Sequence, residues 1–390
     1  MTVTTSPAPK QHLLGLDVLR FAAAVIVMFF HFCYLVTVSP HGFIGNASRQ
    51  AVTFPETAPF THFGWIGVQV FFVISGFVIA FSGEKATPFG FLSSRVVRLA
   101  PGAWICAPLT LLATIAVGFS PAEEMYRGFR HSMAFLPWGP WIDSAYWTLG
   151  IEVAFYATVL GIICLGRFSL VRPLAMVLGA VSSLFWLAVT VTEPASGLGL
   201  KLAAVRESRL AALLLVHHGV FFALGVFLWL ELVKRHARAN IAWIVALLVA
   251  GCVQVVAHNA GGNAEFGVHN SALAPCLTWL AAMAFMVWSV KANAHWHRLS
   301  DAARAAIRTA GMMTFPLYLL HQVVGGAIMG ALVLRGWNRW AALAAAVALV
   351  LAASWLIARH LEPALQRLTR RLLELLRQRL RLRGGSRQPG

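Results

Sequence analysis

Apolar runs long enough to cross a membrane recur along almost the whole chain, and they constrain its fold more than any other feature. A membrane-spanning helix needs about 20 predominantly apolar residues. Ten runs meet this requirement: residues 13–38, 62–82, 101–119, 145–165, 172–192, 210–232, 240–257, 271–290, 312–333 and 340–358. No long polar stretch separates them. The sequence therefore predicts an all-α, polytopic membrane bundle of about ten transmembrane helices.

The composition agrees with this fold class. Hydrophobic residues make up 59% of the chain and charged residues 12%, against about 45–50% and about 25% in soluble proteins. The net charge of +17 does not indicate a nucleic-acid partner, because the Lys and Arg residues lie between the apolar runs and in the C-terminal segment. The five cysteines form no CxxC pair and have no metal-ligand spacing, so we expect no metal.

Basic residues are distributed unevenly between alternate loops, and this asymmetry predicts the orientation. With the N-terminus inside, the inner segments hold 22 of the 31 Lys and Arg residues and the outer segments hold 8. Cytoplasmic loops of membrane proteins carry such an excess. Both chain ends are therefore predicted to be cytoplasmic.

The C-terminal segment divides the chain into two predicted parts. Residues 1–360 form the transmembrane domain, and residues 361–390 form a cytoplasmic tail in which Leu and Arg alternate. This pattern is typical of an amphipathic helix that lies on an anionic inner leaflet. We expect the tail to anchor the protein and to carry no chemistry.

The first apolar run contains three ionisable residues: Asp17, Arg20 and His31. Each costs about 2.5–3.5 kcal/mol in a spanning helix, so each is a functional candidate. Arg20 and His31 are 11 residues apart, which places them on one helix face about 16 Å from each other. Asp17 can pair with Arg20 and contribute to substrate binding. The pattern suits an anionic carrier that docks at Arg20 and extends toward His31, while a packed structural histidine is the alternative.

A pair of arginines, Arg95 and Arg98, lies at the inner end of the third predicted helix. Residues three apart on a helix face the same side, so the two guanidinium groups can bind one phosphate group. The alternative is an ordinary pair of positive charges at the cytoplasmic end of a helix.

Glu152 lies within the fourth apolar run, in the segment TyrTrpThrLeuGlyIleGluValAlaPheTyr (146–156). Its carboxylate could orient His31 or hold an acceptor hydroxyl. Tyr156 lies one helical turn further on and could add a hydrogen bond, and Trp147 could stack on a sugar ring. A structural Glu bonded to the backbone or to an Arg is the alternative.

Further candidates lie in apolar runs and outer loops. Ser75 could contribute to the substrate site or act as a nucleophile, but no neighbouring base is evident, and helix packing is the alternative. His321 could line the same substrate cavity, with a structural histidine as the alternative. Near Ser75, the small residues Gly64, Gly67 and Gly76 would let helices approach closely. The long outer segments 39–61 and 120–144 combine aromatic and polar residues, which suits either a carbohydrate surface or an interfacial aromatic belt.

Six of these motifs, taken in order, resemble the acyltransferase-3 family. They cover nearly the whole chain: GlyLeuAspValLeuArg (15–20) followed by His31, GlyValGlnValPhePheValIleSerGlyPhe (67–77), Arg95 with Arg98, TrpThrLeuGlyIleGluValAlaPheTyr (147–156), ProLeuTyrLeuLeuHis (316–321) and HisLeuGluPro (360–363). The resemblance implies a membrane O-acyltransferase of a bacterial-type inner membrane that modifies a cell-surface or exported glycan.

The resemblance also implies roles for individual residues. His31 is the expected general base, with Glu152 in the reaction site, and Arg20 with the arginine pair lies near acyl-CoA, expected to be acetyl-CoA. Some members carry a fused extracytoplasmic esterase-like domain. Here the chain ends in the Arg-rich tail, so one polypeptide handles both half-reactions or needs a separate extracytoplasmic transferase, and a homo-oligomer is a further alternative.

Two other classes of protein remain as alternatives. A transporter or flippase for a lipid-linked glycan would also need buried charges and many helices, but it would not consume acyl-CoA. A non-catalytic membrane assembly component would tolerate the loss of both His31 and Glu152.

Overall fold

The computed structural model describes residues 12–118, 121–234 and 239–385, with side chains as far as residue 379, and this part of the chain contains no β-strand. The long helices are α1 (Leu14–Val38), α2 (Ile66–Gly83), α3 (Pro88–Val117), α4 (Trp147–Cys164), α5 (Val171–Val191), α6 (Gly219–Leu232), α7 (Ala239–Phe266), α8 (Leu273–Lys291), α9 (Asp301–Val333), α10 (Arg339–Leu356) and α11 (Glu362–Gly385). Short helices lie at Phe43–Ala47, Ala58–Thr61, Ala122–Met133, Gly197–Glu207, Arg209–Leu213 and Asn293–Trp296, with single turns at Ser144–Tyr146 and Phe168–Leu170.

The predicted fold class is confirmed. Within the described residues, nine helical segments are long and apolar enough to cross a membrane, and α10 and α11 together form the last of them. The predicted boundaries hold to within a few residues for most of the helices.

The predicted sixth span, residues 210–232, is wrong as a single helix. The chain forms Arg209–Leu213, turns at Leu215 with a φ of 63°, and begins α6 only at Gly219. Apart from Glu231, the residues of α6 are apolar, and residues 219–230 are all buried, so α6 is a central helix with little surface for lipid. The predicted close approach of small residues is confirmed here, because a Cβ atom at Gly76 would lie 2.2 Å from the Phe222 carbonyl oxygen.

Helix α3 begins 13 residues before the predicted start at residue 101. The Thr87 side chain accepts a hydrogen bond from the Gly90 N–H group, and Pro88 occupies the first helical turn. Gly118 ends the helix in the left-handed conformation, with a φ of 63°. The arginine pair Arg95 and Arg98 therefore lies on α3, in its N-terminal part, as predicted.

Alternate loops gather at opposite ends of the bundle. The start of α1, the α2–α3 loop and the start of α9 lie at one end of the bundle, which we call the basic end. There, Lys234 pairs with Glu84, and His297 contacts the His12 carbonyl oxygen. At the far end, Arg49 donates to the Val117 carbonyl oxygen. This arrangement matches the predicted alternation, although Lys10, Arg235, Arg238 and Arg387, which also support the orientation, lie outside the described residues.

The C-terminal tail does not behave as a separate surface helix in the described residues. A π-helical turn at Ile357–Leu361 joins α10 directly to α11, and α11 packs against α3. Thr369 is buried, and the Arg377 guanidinium lies 5.1 Å from the Phe89 ring centroid. Because of this packing, α11 contributes Gln366 and Arg370 to the lining of a cavity.

Candidate active site

A cavity of about 450 Å³ opens between α1, α2, α3, α4, α9 and α11. We call it the inner cavity, because it lies toward the basic end. Four arginines from three helices line it: Arg20, Arg95, Arg98 and Arg370. Glu152 lines it as well, and so do Ser75 and Tyr156. A concave site with four cations is suited to an anionic ligand with several phosphate groups.

Arg20 is held at the inner cavity by a residue that lies outside it. An Asp17 carboxylate oxygen lies 3.6 Å from Arg20 Nη1, which agrees with the predicted pairing. The other carboxylate oxygen lies 2.5 Å from His12 Nε2. Asp17 lines neither cavity described here, so its position fits a residue that orients Arg20 rather than one that contacts substrate.

The two arginines of α3 face the inner cavity together, as their spacing predicts. Arg95 lies over Tyr156, with its Cζ atom 5.7 Å from the ring centroid. Arg98 lies 3.9 Å from a carboxylate oxygen of Glu362 and over Phe315. These contacts hold both side chains along the cavity wall, so they are positioned before any ligand binds.

Glu152 is bonded within the inner cavity. Its Oε1 atom accepts hydrogen bonds from Ser75 Oγ, at 3.1 Å, and from the Tyr156 hydroxyl. This arrangement brings three of the predicted site residues together. The interpretation in which Glu152 orients His31 does not hold in the structure, because the two side chains line different cavities.

A second cavity of about 280 Å³ lies toward the far end, and we call it the outer chamber. Its lining residues include His31 and Trp147, together with Gln69, His218 and Arg206. Val68 and Tyr318 line both this chamber and the inner cavity. The two cavities therefore meet at a shared wall formed by these two side chains.

His31 is paired with His321 rather than with Glu152. The close packing of α1 on α9 allows this pairing, because a Cβ atom at Gly311 would lie only 2.6 Å from Asp17. His321 Nε2 lies 3.1 Å from His31 Nδ1. Both histidines lie in π-helical turns, Phe30–Leu35 in α1 and His321–Gly325 in α9. Such turns occur frequently at functional sites.

The backbone fixes which nitrogen of each imidazole carries the proton. His31 Nδ1 lies 2.8 Å from the Val27 carbonyl oxygen, and His321 Nδ1 lies 3.0 Å from that of Leu317. A carbonyl oxygen only accepts, so both Nδ1 atoms must donate. His321 Nε2 is then an acceptor for the shared His31 Nδ1–H group, and His31 Nε2 keeps its lone pair. His31 can therefore act as a base through Nε2.

Several residues of the two cavities had no clear signal in the sequence. Arg370 belongs to a row of tail arginines that look equivalent in the sequence, and only the packing of α11 distinguishes it. Tyr318 lies inside the motif ProLeuTyrLeuLeuHis, and Gln69 is one polar residue in an apolar run, so neither stands out in the sequence. By contrast, among the described residues of the outer segments 39–61 and 120–144, only Ser144 lines either cavity.

Asp143 and Trp147 show how the start of α4 is positioned. The buried Asp143 carboxylate accepts hydrogen bonds from the main-chain N–H groups of Ala145 and Val323. Asp143 is therefore occupied in joining α4 to α9. Trp147 lines the outer chamber, 5.6 Å from His218 between ring centroids, so it can offer an aromatic face there.

Comparison with known proteins identifies the family of this chain. Over residues 13–359, the chain matches a family model whose description is "Acyltransferase domain". It is similar to the exopolysaccharide production protein ExoZ of Rhizobium meliloti (strain 1021), with 31% identity over 133 residues, which cover 31% of this chain and 39% of that protein. The similarity thus spans less than half of the relative's length. No solved structure matches the chain. Because the family model covers most of the sequence and its helices, the chain belongs to the acyltransferase-3 family, and it is a multi-pass membrane protein.

Proposed function

We propose that this chain transfers an acyl group, expected to be acetyl, from cytoplasmic acyl-CoA in the inner cavity to a saccharide hydroxyl in the outer chamber. The observation that carries the proposal is the shared wall at Val68 and Tyr318. Arginines lie on one side of this wall, and His31 lies on the other. A donor and an acceptor can therefore enter from opposite ends and meet at one place.

The arginines of the inner cavity support acyl-CoA as the donor. Coenzyme A carries a diphosphate and a further phosphate on its ribose, and these groups are connected to the thioester by a thin pantetheine arm. Arg20, Arg95, Arg98 and Arg370 supply guanidinium groups for the phosphates. The rise of about 16 Å from Arg20 to His31 is comparable to the length of that arm.

The tautomer of His31 supports a role as general base. In the proposed step, His31 Nε2 takes the proton from the acceptor hydroxyl while the hydroxyl oxygen attacks the thioester carbonyl carbon. The C–O bond forms and the C–S bond breaks. The imidazolium then returns the proton to the leaving thiolate, so the products are an ester and free coenzyme A. An acyl-histidine intermediate is the covalent variant of the same route.

The name of the relative supports a polysaccharide as the acceptor. ExoZ is named as an exopolysaccharide production protein. We therefore propose a cell-surface or exported glycan as the acceptor and a bacterial inner membrane as the location. A transporter of a lipid-linked glycan is the competing class of function, and it would not cleave the thioester.

The test is thioester turnover by the purified protein. We expect His31→Ala to lower the release of CoA thiol from acetyl-CoA by about 10²–10⁴-fold, the range that a positioned general base supplies. His295→Ala is the matched control, because His295 is exposed and lines neither cavity. No thiol release by the unmodified protein would favour the transporter, and full activity of His31→Ala would overturn the assignment of His31.

A further inference from the structure

Three buried side chains that line the outer chamber have a polar atom without a hydrogen-bond partner among the described residues. They are Gln69, 3% exposed, with Oε1 unpaired; His62, 8% exposed, with Nε2 unpaired; and His218, 7% exposed, with Nδ1 unpaired. Buried polar groups are nearly always bonded, so each such atom needs an explanation. Three of them around one chamber indicate a ligand that carries several hydroxyl groups.

Aromatic rings make up another part of the chamber lining. Trp65 and Trp147 line it together with Tyr34. Trp65 is packed against the His258 ring at 4.3 Å between centroids, which limits its movement. Such rings offer an apolar face beside a polar edge, a combination that suits a saccharide ring with its C–H face and its hydroxyl edge.

The chamber also contains a cation, Arg206, that makes no ion pair with any described residue. Its guanidinium lies directly on the backbone of α7, since a Cβ atom at Gly261 would lie 1.6 Å from Arg206 Nη2. Only a glycine leaves room for the guanidinium there. The acidic residue that lines the chamber, Glu265, is exposed. A guanidinium group in this setting suits a carboxylate or a phosphate group.

We propose that the outer chamber binds the acceptor and that this acceptor is an acidic saccharide. Arg206 binds its carboxylate or phosphate group, and Gln69 accepts a hydrogen bond from one of its hydroxyls near His31. This inference rests on the proposed function and names its substrate class. The acceptor is then recognised by the chamber lining near Arg206 and Gly261, rather than by the outer loops 39–61 and 120–144.

The experiment compares three acceptor probes with the purified full-length protein and acetyl-CoA. The probes are a tetrasaccharide of glucuronic acid, a tetrasaccharide of glucose, and the glucose tetrasaccharide carrying one phosphate monoester. Ester formation is measured by mass spectrometry. We expect at least one acidic probe to be acetylated with a kcat/KM about 10-fold or more above that of the neutral probe. The two acidic probes distinguish a carboxylate from a phosphate.

Variants at two positions connect the preference to Arg206. Arg206→Gln should remove the preference for the acidic probe. Gly261→Ala should do the same with Arg206 intact, because the new methyl group occupies the place of the guanidinium. Arg335→Gln is the matched control, since Arg335 is exposed toward the same end and lies outside the chamber. It should leave the preference unchanged.

Two results would overturn the inference. One is equal acetylation of the neutral and acidic probes, and the other is a preference that persists in both Arg206→Gln and Gly261→Ala. A different result would show that the proposed function itself is wrong. In that case, His31 would not affect the release of thiol from acetyl-CoA, whether or not a probe is present. His31-dependent thiol release without any preference for acid therefore rejects only this inference.

Discussion

The orientation of His31 follows from two hydrogen-bond acceptors, one on its own helix and one on α9. The Val27 carbonyl oxygen, one turn earlier, accepts from Nδ1, and His321 accepts from the same N–H group. Nε2 is left as the basic atom. A histidine in a regular apolar helix would have the same bond to its backbone, so the neighbouring imidazole of α9 is the feature that distinguishes this site.

His321 is expected to position His31 rather than to react itself. His321→Leu removes the acceptor for the His31 Nδ1–H group, so we expect kcat to fall about 10-fold, less than the loss expected for His31→Ala, while the KM for acetyl-CoA stays the same. His321→Asn keeps an acceptor oxygen and should recover part of kcat. Steady-state kinetics of the two variants test this. Equal loss in both variants would indicate that His321 only fills space.

Asp143 is expected to make the stability of the protein depend on pH. Burial raises the pKa of its carboxyl from 3.8 to about 7, against the opposing effect of its two main-chain hydrogen bonds. The folded state therefore binds more protons than the unfolded state between these values, and the free energy of unfolding falls as pH rises from about 4 to about 7. Above the folded pKa, this contribution no longer changes.

Asp143→Asn tests this dependence. The variant cannot titrate at this position, so its melting temperature should fall less than that of the unmodified protein between pH 5 and pH 7. Glu56→Gln is a suitable control, because Glu56 lies at an exposed position at the far end. If Asp143→Asn and the unmodified protein show parallel pH profiles, the carboxyl of Asp143 is not the group responsible.

The helices show which parts of the fold follow from the sequence. Apolar length alone predicts the all-α bundle, because a lipid-facing helix must satisfy its backbone internally and present apolar side chains. Prediction from apolar length is wrong at α6, because residues 210–232 form one apolar run but the chain turns at Leu215. A central helix surrounded by protein does not need to span the full bilayer, and hydropathy does not distinguish lipid from protein as its neighbour.

The site residues, like the helices, can be predicted only in part from the sequence. The spacing of Arg95 and Arg98 predicts their common direction, because both belong to one helix. The partners of His31 and Glu152 depend on which helices pack together, and no spacing along the chain contains that information. The sequence therefore predicts which side chains are candidates, while the contact of α1 with α9 decides that His31 meets His321.

Helix α11 is expected to contribute to donor binding through Arg370. We expect Arg370→Gln to raise the KM for acetyl-CoA about 5-fold with little change in kcat, because one exposed guanidinium contributes about 1 kcal/mol or less to such a contact. Arg371→Gln is the matched control on the next residue, which is exposed and does not line the inner cavity. Steady-state kinetics with both variants check this. Equal effects would indicate a general attraction of the tail for the anionic donor.

At the scale of the whole molecule, the two cavities divide the bundle between its ends. The inner cavity draws its charged residues from helix segments at the basic end, and the outer chamber is lined by residues from the end where Asn270 donates to the Tyr34 hydroxyl. The shared wall is the place where their contents can meet. The end that carries the excess of Lys and Arg is also the end that contains the arginine-lined cavity.

The donor is therefore expected to be accepted from one side of the membrane only. Acetyl-CoA does not cross a bilayer, so radiolabelled acetyl-CoA added outside should label glycan in inverted inner-membrane vesicles, whose cytoplasmic face is exposed, and not in right-side-out vesicles. Permeabilising both preparations with detergent should remove the difference, which controls for the amount of active protein. Equal labelling of both sealed preparations, or labelling of right-side-out vesicles alone, would contradict both the orientation and the assignment of the inner cavity to the donor.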